Sequence, residues 1–537
     1  MFANVNLPLL MVIVLAYIAL VLYMGWYAAR RTKTSADYMV AGREMNAFLM
    51  AMAYGSTFIS TSAIIGFGGQ AAANGMGLLW LTFFNIFVGI WISFVVFGKR
   101  TRALGQELDV RTFPDLLGRR YNSNFIHSYA GAVVAIMMPL YAAAVLIGGA
   151  RFLEGVFQIP YWLAYLIVAV IVGWYVFYGG LKAVIYNDAV QGTLMLAGMT
   201  LFYILSYVKL GGFVEAHQTL TGMAHLVPEK LAQAGHQGWT RMPAFGSPNW
   251  WFVVSTLIMG VGIGILAMPT TLTRFFTVPR TRDINRALTV AGPFIFMMTG
   301  VAFSVGPLTN VWFYNTQGKI ALEAAGGNVD KIIPLFIGTA MPAFLAYLFV
   351  LTMLAAAMST FSGQVHVIGT ALGYDLNKTV RTDEKKRFTW SRYGMVIGLA
   401  VSMVVGWCLP GSIIAVATAI TFGFYAASFL PIYLAGLYWK RVSATAAKWS
   451  MIAGTMTYWF YMIFVNARHA GVFKLGPAIM GKPSLAGFPW NVIDPLTIAL
   501  PVSAAALIIL TLVTEPMKAD HVEKVWKAFR SSNAAAA

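Results

Sequence analysis

Charge is what this chain has least of. Of its 537 residues only 10% are Asp, Glu, Lys or Arg, where an ordinary soluble domain has about one quarter. With 59% hydrophobic residues it has too few charged groups to cover a folded surface in water. The several soluble domains that its length alone would suggest are therefore excluded in favour of one polytopic membrane domain. Cysteine is nearly absent. Cys408 stands alone inside an apolar run, which excludes an intrachain disulfide framework and a cysteine metal site and makes it an expected small core hydrophobe. Acids are scarce as well, 19 against 37 Lys and Arg, and none falls deep in the second, seventh or ninth apolar run. Proton relays carry buried acids, so their absence favours a cation held by neutral oxygens. The net charge of +18 would suggest nucleic acid in a soluble protein. Here the basic residues sit in short segments between apolar runs, which leaves no basic face for that role.

What is present is a series of apolar runs. A bilayer-crossing helix needs about 20 mostly apolar residues, and thirteen stretches qualify: 7–27, 46–72, 77–97, 124–150, 160–178, 186–209, 250–269, 287–312, 340–373, 390–408, 411–437, 445–466 and 495–514. No basic residue precedes the first run, whereas Arg30, Arg31 and Lys33 follow it. A signal peptide has the opposite order, so the run reads as a retained helix with its N-terminus outside. With that orientation 28 of the 37 Lys and Arg fall on the cytoplasmic side, including Lys182, Arg274, Lys378 and Arg381. Such an asymmetry supports both the count and the orientation. Segments 210–249 and 467–491 are long outer connections suited to short interfacial helices or a lid. The tail after Glu515 has an amphipathic piece from His521 to Phe529, and Ser531 to Ala537 is expected to be disordered.

Three spans carry polar chemistry. The second holds Ser56, Thr57, Ser60, Thr61 and Ser62, with glycines at 55, 66, 68 and 69. That density is expected of a broken helix offering carbonyls to an ion or substrate, and equally of close packing through small residues. The seventh repeats the theme with Gly260, Gly262 and Gly264, then Met268-Pro-Thr-Thr271. Glycine-interrupted spans five apart are the mark of two five-helix inverted repeats with the site between them. The ninth carries Ser359, Thr360 and Ser362 in a small-residue stretch. Hard oxygen ligands suit a hard cation, although hydroxyls bonded back onto their own helix are the commoner arrangement. His366, two turns beyond Ser359, reads as a hydrogen-bonded core histidine.

Four stretches in the right order resemble the sodium:solute symporter family: Tyr38–Arg43, Gly148–Glu154, Gly179–Gln191 and Ala355–Thr360. The resemblance runs from about residue 8 to about 437. It implies an all-α, LeuT-like five-plus-five inverted-repeat core. It also implies a Na+ site formed by the carbonyls of Ser56, Ile59 and Ala356 and the hydroxyls of Ser359 and Thr360. Asp188 is similar to an acid that some members use near the sodium exit route. Phe58 stands where some members carry an acid, and Ala63 where the sugar carriers have Gln. The pantothenate and monocarboxylate branch is the closest in look, which points to an organic anion.

The organisation expected is thus 1–45 for an extra helix and first cytoplasmic loop, 46–209 and 250–437 for the two repeats, and 210–249 for the outer loop between them. Residues 438–514 would form two C-terminal helices and 515–537 a tail. The expected function is sodium-coupled import of a small organic solute across the plasma membrane. The solute is placed near Gly66, Gly68, Gly69, Gln70 and Thr270, where a half-helix start favours negative charge. Proton coupling is the nearest rival, and a transporter-fold sensor the next. An enzyme would need a metal cluster or acid–base pair at the midplane, and no obligate protein partner is expected.

Overall fold

The computed structural model describes residues 5–377, 383–409 and 413–534, so Lys378, Arg381 and the last three tail residues lie outside it. Among the described residues there are helices and connections and no strand. Helix α1 is Leu7–Arg31, capped by the Asn6 side chain and ending on Arg30 and Arg31, which complement its negative end. The second span is two pieces, α2a Ala47–Phe58 and α2b Ser62–Asn74, bent by 51°. Then follow α3 Met76–Glu107 and α4 Asn124–Phe157. The helix Tyr161–Lys209 is interrupted at Gly180, whose φ of 54° only glycine adopts easily. It therefore counts as α5 (161–179) and α6 (181–209). The series continues with α7 Pro248–Phe276, α8 Thr281–Gln317, α9 Ala343–Asp375, α10 Glu384–Cys408 and α11 Ile414–Tyr438. Helix α12 is Ala444–Phe460 extended by wider turns to Val465, α13 is Leu496–Val513 and α14 is Ala519–Ala534.

Among the described residues ten helices are individually long and apolar enough to cross a bilayer, and the bent pair makes eleven. The count reaches thirteen when Tyr161–Lys209 is divided at Gly180 and α12 is added. Successive helices run in opposite directions. One face therefore collects residue 7 and the connections near 75, 159, 210–247, 318–342 and 466–495; the other collects the basic loops and the tail. Helices α4, α7, α9 and α11 are the most enclosed, while α1, α10 and α13 turn most of their surface outward. Cys408, at the end of α10, is exposed. The sequence expectation of a buried cysteine fails because α10 shows its apolar side to the surroundings, where a cysteine meets the same apolar environment.

The long connections hold the end of α2b. A helix leaves its last carbonyls without partners. Here Trp239 Nε1 and His236 Nε2 of segment 210–249 donate to the carbonyls of Ala72 and Ala73 at 2.8 and 3.1 Å, and Asn310 Nδ2 of α8 adds a bond to the Ala72 carbonyl at 2.9 Å. Segment 210–249 carries the short helices Phe213–Gly222 and Glu229–Gln233, and segment 467–491 carries Ala467–Phe473 and Leu475–Met480. On the basic face several arginines are structural rather than solvated. Arg102 donates to the carbonyls of Val278 and Pro279, and Arg120 to those of Gly436 and Trp439. Helix α14 continues to Ala534, past the point where the sequence led us to expect disorder.

Candidate functional site

The site grows from the break in the second span. Helix α2a closes its last turn with the Ile59 amide donating to the Gly55 carbonyl at 2.8 Å, and Ile59 itself is extended (φ −88°, ψ 104°). The chain resumes as a widened helix over Ser62–Phe67. The polar residues at the break make it tolerable in an apolar interior, because they supply partners for backbone groups the break exposes. The Ser62 amide donates to Ser60 Oγ at 3.1 Å, and Thr61 Oγ1 donates to the Val145 carbonyl at 3.0 Å. Gly148 lets α4 come this close, since a Cβ there would lie 2.8 Å from Thr61 Oγ1. The Ile59 carbonyl is bypassed by the following turn: Ala63 and Ile64 donate to Ser60 instead.

Helix α9 passes this break with the small-residue run Ala355–Ala357, of which Ala357 packs on Gly149 of α4, and such small side chains allow helices to approach closely. Ser359 Oγ and Thr360 Oγ1 both donate to the Ser56 carbonyl, at 3.0 and 3.1 Å. Ser359 Oγ also lies 3.4 Å from the Ala356 carbonyl. Ser56, Ala356, Ser359 and Thr360 are buried, and so is Ile59. Two hydroxyls and two carbonyls therefore converge from different helices, with the Ile59 carbonyl one turn along. The donor set is neutral, hard and shielded from water, which is what a dehydrated alkali cation requires. Ser56 Oγ and Ser62 Oγ are also buried there without a hydrogen-bond partner.

One turn toward the basic face, Asp188 of α6 and Arg274 of α7 form an ion pair at 3.2 Å, both side chains fully buried. Arg274 also donates to Thr57 Oγ1 at 2.8 Å, and Thr57 donates to Asp188 at 3.2 Å. The triad thus touches the residue next to Ser56. Gly363 of α9 makes room for it, since a Cβ there would sit 3.1 Å from the guanidinium. Sequence reasoning counted Arg274 among solvated loop charges; the structure places it inside, because Asp188 is there to neutralise it. The available signal was the polar run Thr270-Thr-Leu-Thr-Arg274 at the end of an apolar span. His366 behaves as the sequence suggested, donating Nε2 to the Tyr38 carbonyl at 2.9 Å.

On the other side of the break is a small cavity of about 20 Å3, lined among others by Phe58, Ser60, Asn85, Tyr141, Thr418 and Phe422. None of its lining residues is charged, and Asn85 Oδ1 is buried without a hydrogen-bond partner. The residues in which the sequence suggested a solute site do not line this cavity. Gly66 packs on Ile414 and Ala415, Gly68 on Ile333, and Gly69 on the Val329 carbonyl, which a Cβ would approach to 2.0 Å. Gln70 accepts from Asn74 at 3.0 Å, and the Thr270 carbonyl accepts from Thr273 at 2.8 Å. Asn85, Tyr141 and Thr418, which do line it, are isolated polar residues in three separate spans and show no pattern until the helices are assembled.

Comparison with known proteins gives a consistent result. The chain is similar to the sodium/pantothenate symporter of Escherichia coli K12, 27% identical over 472 residues covering 87% of this chain and 92% of the relative. It is similar to sodium/proline symporter 2 of Staphylococcus saprophyticus at 25% over 465 residues, covering 85% and 86% of the two chains. Among solved structures it resembles a Na+-coupled sialic acid symporter in a substrate-bound outward-open state, with a TM-score of 0.72 and 17% identity over 95% of this chain and 98% of that one. This last likeness shows the fold alone, the LeuT-like fold that the motifs implied. These relatives are transporters and not enzymes. The family model for sodium:solute symporters matches residues 38–454, and the chain belongs to the sodium:solute symporter family.

Proposed function

We propose that this protein imports a small organic solute, an organic anion of the monocarboxylate kind, by coupling it to sodium. The observation that carries the reading is the convergence of Ser359 and Thr360 on the Ser56 carbonyl at the break of α2. Sodium would take the carbonyls of Ser56, Ile59 and Ala356 and the two hydroxyls as ligands, replacing its water shell. It would do so only when α2 and α9 are correctly spaced. Sodium therefore favours one spacing over others, and this differential affinity is what coupling needs.

The cavity beside the break, about 20 Å3, has room for about one water as it stands, so the solute would enter there only as the surrounding helices part, with Asn85, Tyr141 and Thr418 as polar contacts and Phe58 and Phe422 as apolar walls. The positive end of α2b, at Thr61–Ala63, favours a carboxylate there. Asp188, held by Arg274, would lie on the inner side of the sodium path. The reading keeps the repeats at 46–209 and 250–437, and puts the N-terminus outside and the basic face in the cytosol. An inward-negative potential then assists sodium entry by about 2.3 kcal/mol per charge per 100 mV.

The test is uptake by proteoliposomes of a panel of labelled small carboxylates and amino acids at fixed pH, with sodium on one arm and choline on the other. Uptake of a carboxylate with sodium alone is expected. Uptake that follows a proton gradient equally well in choline would transfer the coupling to protons.

A further inference from the structure

The tail of this protein builds a pocket that the transport reading does not use. Helix α14 is amphipathic. It buries Val525, Ala528 and Phe529 against the basic face, where Arg100 lies 4.9 Å over the Phe529 ring and Arg120 lies 5.0 Å over the Trp526 ring. His521 Nε2 donates to the Arg120 carbonyl at 3.1 Å, which fixes the start of the helix. Between α14 and the ends of α11 and α13 an open cleft of about 570 Å3 remains.

The chemistry of this cleft is divided. Its floor is apolar, from Met517, Val522 and Trp526, and its rim is basic, from Lys440, Arg441 and Arg530, with Glu523 as the single acid of the lining. Glu523 is engaged by Arg530 at 3.4 Å, on the exposed side. Arg441 is fixed in place by the carbonyls of Leu512 and Thr511 at 2.9 and 3.3 Å, the final turn of α13. Lys440 lies 5.9 Å over the Trp526 ring. The rim therefore keeps an excess of positive charge over an apolar floor. It sits where Tyr438 and Val513 end their helices, and the end of a spanning helix is where the hydrocarbon core gives way to headgroups. A group that satisfies both halves is a phosphate joined to acyl chains.

We propose that this pocket binds the headgroup of an acidic phospholipid, with Lys440, Arg441 and Arg530 on the phosphate and the chain region against Trp526 and Met517. Basic pockets between helix ends are suited to such lipids. A bound lipid would hold α14 against α3, α11 and α13 and so tie the tail to the membrane.

The experiment uses the full chain purified in a neutral detergent and follows its thermal unfolding while phosphatidylglycerol, phosphatidylcholine or inorganic phosphate is added. Phosphatidylglycerol is expected to raise the midpoint saturably, and the other two are not. Lys440→Gln with Arg530→Gln is expected to unfold like the parent without lipid and to need about thirtyfold more phosphatidylglycerol, at the usual worth of a basic residue near anionic lipid. Should that variant be unstable, Trp526→Leu, which keeps the rim charges, is expected to retain the response, and Lys440→Glu to lose it. A response unchanged in both Lys440 variants, or an equal one from phosphatidylcholine or from phosphate alone, overturns the assignment.

Discussion

Replacing Ser359 or Thr360 by alanine removes one of the oxygens assigned to sodium and leaves the helix backbone intact. The magnitude follows from what each hydroxyl does without the ion. Each then donates to the Ser56 carbonyl, at 3.0 and 3.1 Å, a neutral hydrogen bond worth about 1 kcal/mol. With the ion bound, each would contribute the roughly 1.5–3 kcal/mol of a contact to a charge. The alanine variants lose both, so sodium affinity falls by the difference, about 0.5–2 kcal/mol, or about 2- to 30-fold. Thr360→Ser keeps the oxygen and is expected to stay close to the parent. The assay is equilibrium binding of radiolabelled sodium to the purified protein, with choline holding ionic strength, which needs no knowledge of the solute. A sodium midpoint unchanged in both alanine variants would refute the assignment, because no ligand can be removed from a buried cation without loss.

Three further outcomes are expected. Asp188→Asn or Arg274→Gln alone leaves a buried charge unpaired, at a cost of about 3–5 kcal/mol; the double variant should unfold at a higher temperature than either, and a double variant no better than the singles would show that the two do not compensate each other. Gly69→Ala drives a Cβ into the Val329 carbonyl and should destabilise by about 1–3 kcal/mol, whereas Gly300→Ala, with no atom within 4 Å, should be neutral or up to about 1 kcal/mol better; equal thermal midpoints for the pair would contradict the packing described. Asp330, whose carboxylate oxygens are buried in the 318–342 connection without a partner, is pushed by burial up to about 7. A raised carboxyl favours the packed state while it holds its proton, so this connection should lose protection as pH rises from about 4 through about 7. Protection factors from hydrogen exchange that do not fall across that window, or that fall equally in Asp330→Asn, would contradict it.

Much of the architecture was legible because apolar length and the placement of charge are properties of the chain itself. The thirteen spans needed only those two signals. The break in the second span was also legible as a region, yet its position was not. Density of glycine and density of hydroxyl both mark that stretch, and the sequence does not tell which opens the helix. The structure breaks it at Ile59–Thr61, where Ser60 supplies a substitute acceptor, and uses Gly66, Gly68 and Gly69 to bring neighbouring helices close. The convergence of Ser56 with Ser359 and Thr360 spans about three hundred residues, and only the family motifs made it visible in the sequence. Arg274 was misread as a loop charge for the opposite reason. Its burial depends on a partner, Asp188, in a different span, and charge counting treats each residue as if it stood alone.

The most direct test of the account is an experimental structure of the protein in a lipid nanodisc, determined once in sodium and once in choline. The account predicts a density peak in sodium alone, within bonding distance of the carbonyls of Ser56, Ile59 and Ala356 and of the hydroxyls of Ser359 and Thr360, with both hydroxyls turned from the Ser56 carbonyl toward the ion. A sodium peak elsewhere, with Ser359 and Thr360 still donating to Ser56 as in choline, would contradict it.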